Sequence, residues 1–273
     1  MIRNRFRHER PTEVGQAVDL LAAYGPTARV LGGGTLLVPE MVAGEASPEC
    51  VVDVRRLAVP PVRLEGADVV LGATATYSDV LVDPVVARHA VLLATMAAGV
   101  TGGVQLLNTA TLLGSASQAA PGSDVPGCLV ALDARMRLVS TEGVREVAAV
   151  DFFVDAFRTA LRPDELLLEV VVPGTEGRAS GYVKLKHSAS SWPITTAACV
   201  VGADGTRVRL AVGAAGPVPV VVDLAADTAA DVVEDVVAAL LPHGWDDVLA
   251  DGEYRRSVAP VAARRALRKA GLA

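Results

Sequence analysis

Three consecutive glycines, Gly32-Gly33-Gly34, follow directly on the apolar run Ala28–Leu31. Within regular structure each would cost about 1 kcal/mol relative to alanine. A chain accepts that cost where the backbone needs positive φ or where something comes close to it. Leu31-Gly32-Gly33-Gly34-Thr35-Leu36-Leu37-Val38-Pro39 therefore reads as a strand running into a turn, with Thr35 placed to cap a second short helix. A later segment, Asn108-Thr109-Ala110-Thr111-Leu112-Leu113-Gly114-Ser115, has the same small-residue character. Free N–H groups at a helix start favour an anion. Two such loops in one half of a chain suggest a long anionic molecule, such as a dinucleotide, lying across both. The alternative is a pair of purely structural turns. Neither GxGxxG nor GxxxxGK(S/T) is present, so those two phosphate-binding fingerprints do not apply.

The bulk properties narrow the field. With 51% apolar and 21% charged residues over 273 positions, the chain is ordered and long enough for two domains. A net charge of −6 without a long basic run excludes nucleic-acid binding by a broad electrostatic face. Cys50, Cys128 and Cys199 form no CxxC pair, and the four histidines form no HExxH. Three buried thiols in a reducing compartment are expected, with no metal ligands and no iron–sulfur cluster of the chain's own. The apolar runs fall short of a spanning helix, which gives a cytoplasmic expectation. No Ser/His/Asp or paired-carboxylate arrangement stands out, so no catalytic side chain is nominated.

Periodicity and breakers give the elements. A helix runs through Tyr24 with Thr12 as candidate N-cap, and Gly25-Pro26 stops it. Strands are expected at Ala28–Leu31 and Val51–Val54, completing a small α/β unit over residues 1–57. Two β runs follow, Val62–Leu64 and Asp68–Ala75, then a helical turn at Tyr77–Leu81 and a longer helix at Val85–Gly99. Val100–Ser115 reads as loop-rich. Asp124–Leu132 reads as a helix that Asp124 either caps or precedes as a ligand contact. Met136–Ser140, Val144–Ala149 and Leu166–Val172 are further strands, and Pro173-Gly174 with Thr175–Arg178 forms the best boundary. Beyond it lie three strands (Tyr182–Lys186, Thr195–Val201, Val208–Val212) and two helices (Thr228–Leu241, Val258–Ala270).

Taken together these segments resemble the FAD-binding medium subunit of the molybdenum hydroxylases, the carbon monoxide dehydrogenase and xanthine dehydrogenase type. The likeness runs over almost the whole chain. It is carried by Arg10-Pro11-Thr12-Glu13 with Leu20–Gly25, by Leu31–Pro39, by Leu71–Tyr77, by Pro121–Pro126, and by the tail Asp251-Gly252-Glu253-Tyr254-Arg255-Arg256 with Arg264–Leu267. It implies an α+β fold: a vanillyl-alcohol-oxidase-type FAD-binding domain over 1–174, in subdomains of about 1–57 and 58–174. A C-terminal α+β domain with a three-stranded sheet would follow over 178–273.

The resemblance also implies a cofactor, FAD, and places residues around it. Leu31, Gly32, Gly33, Gly34, Thr35 and Leu36 would hold the pyrophosphate on one side, and Ala110, Thr111, Gly114 and Ser115 on the other. Thr76 opens a third contacting region, and Asp124 falls near the ribose and phosphate. Lys184 and Trp192 fall near the isoalloxazine, where a cation would stabilise reduced, anionic flavin. The second loop departs from the family pattern at three positions. Thr109 stands for an arginine, Leu113 for a glycine and Ser115 for an Asn or Asp. If Leu113 needed positive φ it would cost about 1–2 kcal/mol. The implied role is electron transfer from two [2Fe–2S] clusters in a small partner to an external acceptor. Hydroxylation would occur on a molybdopterin-binding large partner, in a dimer of heterotrimers. A flavin-free scaffold and a standalone flavoenzyme are the alternatives.

Overall fold

The computed structural model describes residue 2 and residues 4–272. The first unit is a three-stranded parallel sheet of β1 (Arg7–Glu9), β2 (Ala28–Leu31) and β3 (Cys50–Asp53), with β3 in the middle. Helix α1 (Val14–Tyr24) buries Ala17, Val18 and Leu21 on it, and α2 (Leu37–Ala43) follows the glycine turn. Parallel strands need such crossovers, which is why the apolar stripe of α1 precedes β2. Thr12 does not cap α1. Glu13 holds that position without a side-chain bond, and the Thr12 N–H donates to Gln16 Oε1.

The second unit joins β4 (Val62–Glu65) and β5 (Asp68–Gly72) across a turn at Gly66, whose φ is +63°. Four helices come next: α3 (Tyr77–Val82), α4 (Pro84–His89), α5 (Val91–Ala98) and α6 (Gly103–Leu107). Then α7 (Leu112–Gln118) and α8 (Val125–Ala131) lead to β6 (Arg135–Ser140) and β7 (Gly143–Ala148). The short elements α9 (Ala149–Phe152), β8 (Phe153–Asp155) and β9 (Arg158–Thr159) precede β10 (Leu166–Val172). The sheet is antiparallel in the order β4-β5-β10-β6-β7.

Two expectations change here. The Val85–Gly99 helix is broken at Ala90, whose φ of −144° is extended. The break frees the His89 carbonyl, which accepts from the Thr175 backbone N–H at 2.7 Å and hydroxyl at 3.2 Å. Residues 100–115 are also more regular than a loop, because α6 and the start of α7 lie within them.

The C-terminal sheet has four antiparallel strands, not three: β11 (Ser180–Leu185), β12 (Thr195–Val201), β13 (Arg207–Gly213) and β14 (Val220–Ala225). The fourth is an edge strand beginning directly after Pro219, where proline costs no ladder bond. Helices α10 (Ala230–Leu240) and α11 (Gly252–Lys269) cover one face of this sheet. Tyr182, Ala198, Val200 and Ala211 on the other face join the core of the second unit. That double burial explains why all seven residues of β12 are buried without alternation. Helix α11 starts at Gly252, well before the expected Val258. Asp251 accepts from the Tyr254 N–H at 2.7 Å and starts it upstream of Pro260.

The three cysteines are buried and unpaired, and burial pushes the Cys199 thiol up to about 12. Among the described residues no helix is long and apolar enough to cross a membrane.

Candidate functional site

The two glycine/threonine loops form one joint. A methyl group built on Gly33 would lie 2.7 Å from Ala110 Cα and closer still to the Thr109 carbonyl oxygen. The close approach that Gly33 answers to is therefore the second loop. Gly34 has φ +70°, the left-handed region. The joint is braced at its base by Asp53, paired with Leu31 across β2 and β3 and wholly buried. Its carboxylate accepts from Arg55 at 2.7 and 2.9 Å and lies near His8 and Arg10. Hydrogen bonding to Arg55 holds that carboxyl down to about 2. On the far side, Thr111 pairs with Thr76, and the Leu112 N–H donates to the Ala75 carbonyl at 3.0 Å.

Two cavities flank the joint and share Thr35, Leu36 and Ser115. The larger, about 380 Å³, runs over Gly32–Leu37, Thr111 and Leu113–Ser115 to Phe157, Leu161 and Leu167. The smaller, about 250 Å³, lies between Tyr77, Ala110, Leu106, Asp124 and Trp192. Along their shared wall, the backbone N–H groups of Gly32 to Leu37 make no hydrogen bond among the described residues, nor does that of Leu113. Half-buried donors without partners are costly unless water or a ligand meets them.

The nearby carboxylates are already engaged. Glu165 accepts from Arg145 at 2.6 and 2.7 Å, and Glu40 from the Gln118 side-chain amide at 2.9 Å. Burial alone would push the Glu165 carboxyl up, but Arg145 and the Arg162 N–H hold it below its ordinary range. A row of free backbone donors between two elongated cavities suits the pyrophosphate of a dinucleotide whose two halves lie one in each. The residues present fit FAD.

The wall of the smaller cavity rests on a buried ion pair. Helix α8 packs on the C-terminal sheet through Gly127, where an added Cβ would be 3.3 Å from Gly213 Cα. That close approach sets Asp124, at the start of α8, beside β11. Tyr182 and Lys184 alternate onto the same face of β11. The Tyr182 hydroxyl donates to Asp124 Oδ1 at 2.5 Å, and Lys184 Nζ donates to Asp124 Oδ2 at 2.8 Å and to the Gly99 carbonyl at 3.0 Å. Burial, with the neighbouring Asp124 charge, pushes the Tyr182 phenol well above its ordinary value. Tyr77, raised by burial, donates to Ser115 Oγ at 2.8 Å.

Set against the expected residues, the structure brings most of them together. Gly32, Gly33, Gly34, Thr35, Leu36, Thr111, Gly114 and Ser115 line the larger cavity, and Thr35, Leu36, Ala110, Ser115, Asp124 and Trp192 the smaller. Leu31, Thr76 and Lys184 line neither. Leu31 ends β2 below the turn. Thr76 caps α3 in a reciprocal box with Asp79, its hydroxyl 2.6 Å from Asp79 Oδ2. Lys184 stands behind Asp124 rather than presenting a bare cation. Thr35 does not cap α2, since Leu36 occupies that position without a side-chain bond. Asp124 does not cap α8, because its carboxylate is committed to Tyr182 and Lys184. The Gly114 N–H is capped by Thr111 Oγ1 at 3.2 Å.

The departures in the second loop are accommodated. Leu113 lies within α7, is absent from the positive-φ residues, and is 2% exposed in the main core. Restoring glycine there is expected to cost about 3 kcal/mol or more, from the lost buried side chain and the helix penalty of glycine. Because the Leu113 N–H is already free, L113G should gain no FAD affinity. Chemical denaturation together with flavin titration checks both points. Thr109 spends its hydroxyl on the Gln105 carbonyl at 2.8 Å. Sequence reasoning missed Tyr77 and Tyr182 as site residues, and also Phe157. Phe157 carries φ +56°, which is unusual for a bulky residue, and nothing in its local sequence signals it.

Comparison with known proteins accords with this geometry. Residues 4–175 match the family model for the FAD binding domain in molybdopterin dehydrogenase. The carbon monoxide dehydrogenase medium chain of Hydrogenophaga pseudoflava is 36% identical over 203 residues, covering 74% of this chain and 70% of its own length. That of Afipia carboxidovorans is 33% identical over 291 aligned positions, covering 99% and 98%. Among solved structures, a Cu,Mo-CO dehydrogenase chain superposes with a TM-score of 0.92 at 30% identity, each chain covered to 99%. Quinoline 2-oxidoreductase from Pseudomonas putida 86, at 23% identity and TM-score 0.86, shares the fold. With the family model spanning more than half of the sequence and these likenesses running its whole length, the chain belongs to the FAD-binding domain family of molybdopterin dehydrogenases, of the carbon monoxide dehydrogenase medium-subunit type.

Proposed function

We infer that the chain holds one FAD across its two cavities and serves as the electron-transferring flavoprotein subunit of a molybdenum hydroxylase. Electrons would arrive from [2Fe–2S] clusters in a small partner and leave to an external acceptor. Substrate hydroxylation would take place on a molybdopterin-binding large partner, in a dimer of heterotrimers. The observation that carries this reading is the row of unpaired N–H groups from Gly32 to Leu37 lying where the two cavities meet. FAD supplies the one- and two-electron chemistry that the side chains here do not.

The chain's own contribution is to bind and orient. The N–H groups of Gly32–Leu36 and Leu113 hold the pyrophosphate without a lysine or arginine at that point. Ser115 spans both cavities with its hydroxyl fixed by Tyr77, and Asp124 and Trp192 bound the isoalloxazine end. Lys184 neutralises Asp124, so the charge offered to the flavin is that of an ion pair rather than a free cation. We keep 1–174 as the FAD-binding domain and 178–273 as the C-terminal domain. The flavin-free scaffold reading rested on the altered second loop, with Thr109, Leu113 and Ser115; the helical setting of Leu113, without positive φ, weighs against it.

The test is the absorbance spectrum of the purified protein, followed by heat release and chromatography of the chromophore. About one FAD per chain is expected. Release of FMN, or an apo-protein that rejects added FAD, overturns the reading.

A further inference from the structure

The tail motif Asp251–Arg256 lines neither cavity, yet it contains the largest fully buried side chain among the described residues, Arg255. A buried guanidinium is tolerated only when its donors are met. Those of Arg255 reach out of α11 to three separate chain segments. Nη1 donates to the carbonyls of Ile194 at 2.5 Å, Ala214 at 2.9 Å and Pro193 at 3.3 Å. Nη2 donates to Asp247 Oδ1 at 2.5 Å, and Nε reaches the Ala250 carbonyl at 3.4 Å. Every partner lies in a loop or at a strand end, and none is in a helix.

Pro193 and Ile194 directly follow Trp192, the half-exposed side chain that forms the outer wall of the smaller cavity. The same turn is held from the other side by the Thr101 hydroxyl, 3.4 Å from the Ser191 carbonyl. Asp247 closes the circuit. A Cβ placed on Gly122 would meet Trp192 Cε3 at 3.6 Å and Asp247 Oδ2 at 3.9 Å, so the indole and the Asp247 carboxylate both lie on the Cβ side of Gly122 at the cavity rim.

We propose that Arg255 is the positioning residue for Trp192, fixing the indole over the smaller cavity by clamping the Pro193–Ile194 turn to the Ala214 and Asp247 segments. The placement of Trp192 is independent of cofactor, while its consequence for flavin rests on the proposed FAD function. An aromatic face set correctly against a ring is worth about two- to tenfold in an equilibrium constant.

The test uses the full chain in a Trp245→Phe background, which leaves Trp192 as the only tryptophan. Arg255→Met and Arg255→Lys are compared with Leu267→Ala, a core truncation twelve residues further along the same helix. In the apo-protein, Arg255→Met is expected to red-shift Trp192 emission and raise its acrylamide quenching, with Arg255→Lys partly restoring both. Leu267→Ala should lower Tm without moving either. In the FAD-loaded protein Arg255→Met should weaken FAD about two- to tenfold. If Arg255→Met does not fold, Asp247→Asn, which removes the charged leg at a quarter-exposed carboxylate, should give the same shifts in smaller degree. Unchanged Trp192 emission and quenching in the Arg255 or Asp247 variants, or the same shift in Leu267→Ala, overturns the proposal. Shifted emission in the variants of a parent protein that itself binds no FAD leaves the positioning role standing and overturns the FAD function instead.

Discussion

Gly33→Ala is expected to abolish FAD retention, more completely than alanine at either neighbouring glycine. The added methyl would sit 2.7 Å from Ala110 Cα and nearer the Thr109 carbonyl, and both are backbone atoms that cannot rotate away. The joint would have to open by about 1 Å or more to regain van der Waals distance, which costs about 1–3 kcal/mol as overpacking. Opening also separates the Gly32–Leu37 donors from the Leu113 donor across the joint. If two of those bonds to the pyrophosphate are lost, affinity falls by about 3 kcal/mol or more, over a hundredfold.

Gly34→Ala is strained by its φ of +70°, at about 1–2 kcal/mol, but its close contacts are side-chain ends of Leu31 and Val38. Gly32→Ala meets the Thr111 hydroxyl at 2.7 Å, a group that can turn at the expense of a cap worth about 1 kcal/mol. Flavin stoichiometry and Kd for the three variants check the order. A Gly33→Ala protein that keeps its FAD would mean the two loops do not meet as described.

The glycine run shows how far local sequence carries. Its cost was legible, as was the junction at Leu31, because an apolar run that ends in glycines has few other readings. What approaches Gly33 was not legible, since Thr109 lies 76 positions away (109 − 33) and carries no mark of the contact. Strands Ala28–Leu31, Leu166–Val172 and Thr195–Val201 fall where apolar runs and Gly/Pro breakers put them. The break at Ala90 did not, because it follows from a carbonyl that Thr175 uses in the folded chain. Edge strand β14 was hidden by Pro217 and Pro219 beside an unalternating valine run.

In the site, loop residues were readable while the side-chain partnerships were not. Asp124 looked like a cap from its place before a helix, and Lys184 looked like a free cation on a strand. Only the packing of α8 on β12 and β13, beside β11, shows that each is the other's partner.

That pairing gives the second large effect. Lys184→Met removes the counter-charge of a carboxylate whose side chain is 9% exposed, and leaves the Gly99 carbonyl without its donor. Breaking one side of a buried pair costs about 3–5 kcal/mol, or roughly 6–20 °C in Tm for a chain of this size.

Asp124→Asn/Lys184→Met removes the stranded charge while an amide oxygen can still accept from Tyr182. It should therefore recover most of the lost stability, a non-additivity that melts of the two single variants and the double would measure. If Lys184→Met were no less stable than the parent, Lys184 would not be compensating a buried Asp124 carboxylate. The ion pair would then not be what supports the wall of the smaller cavity.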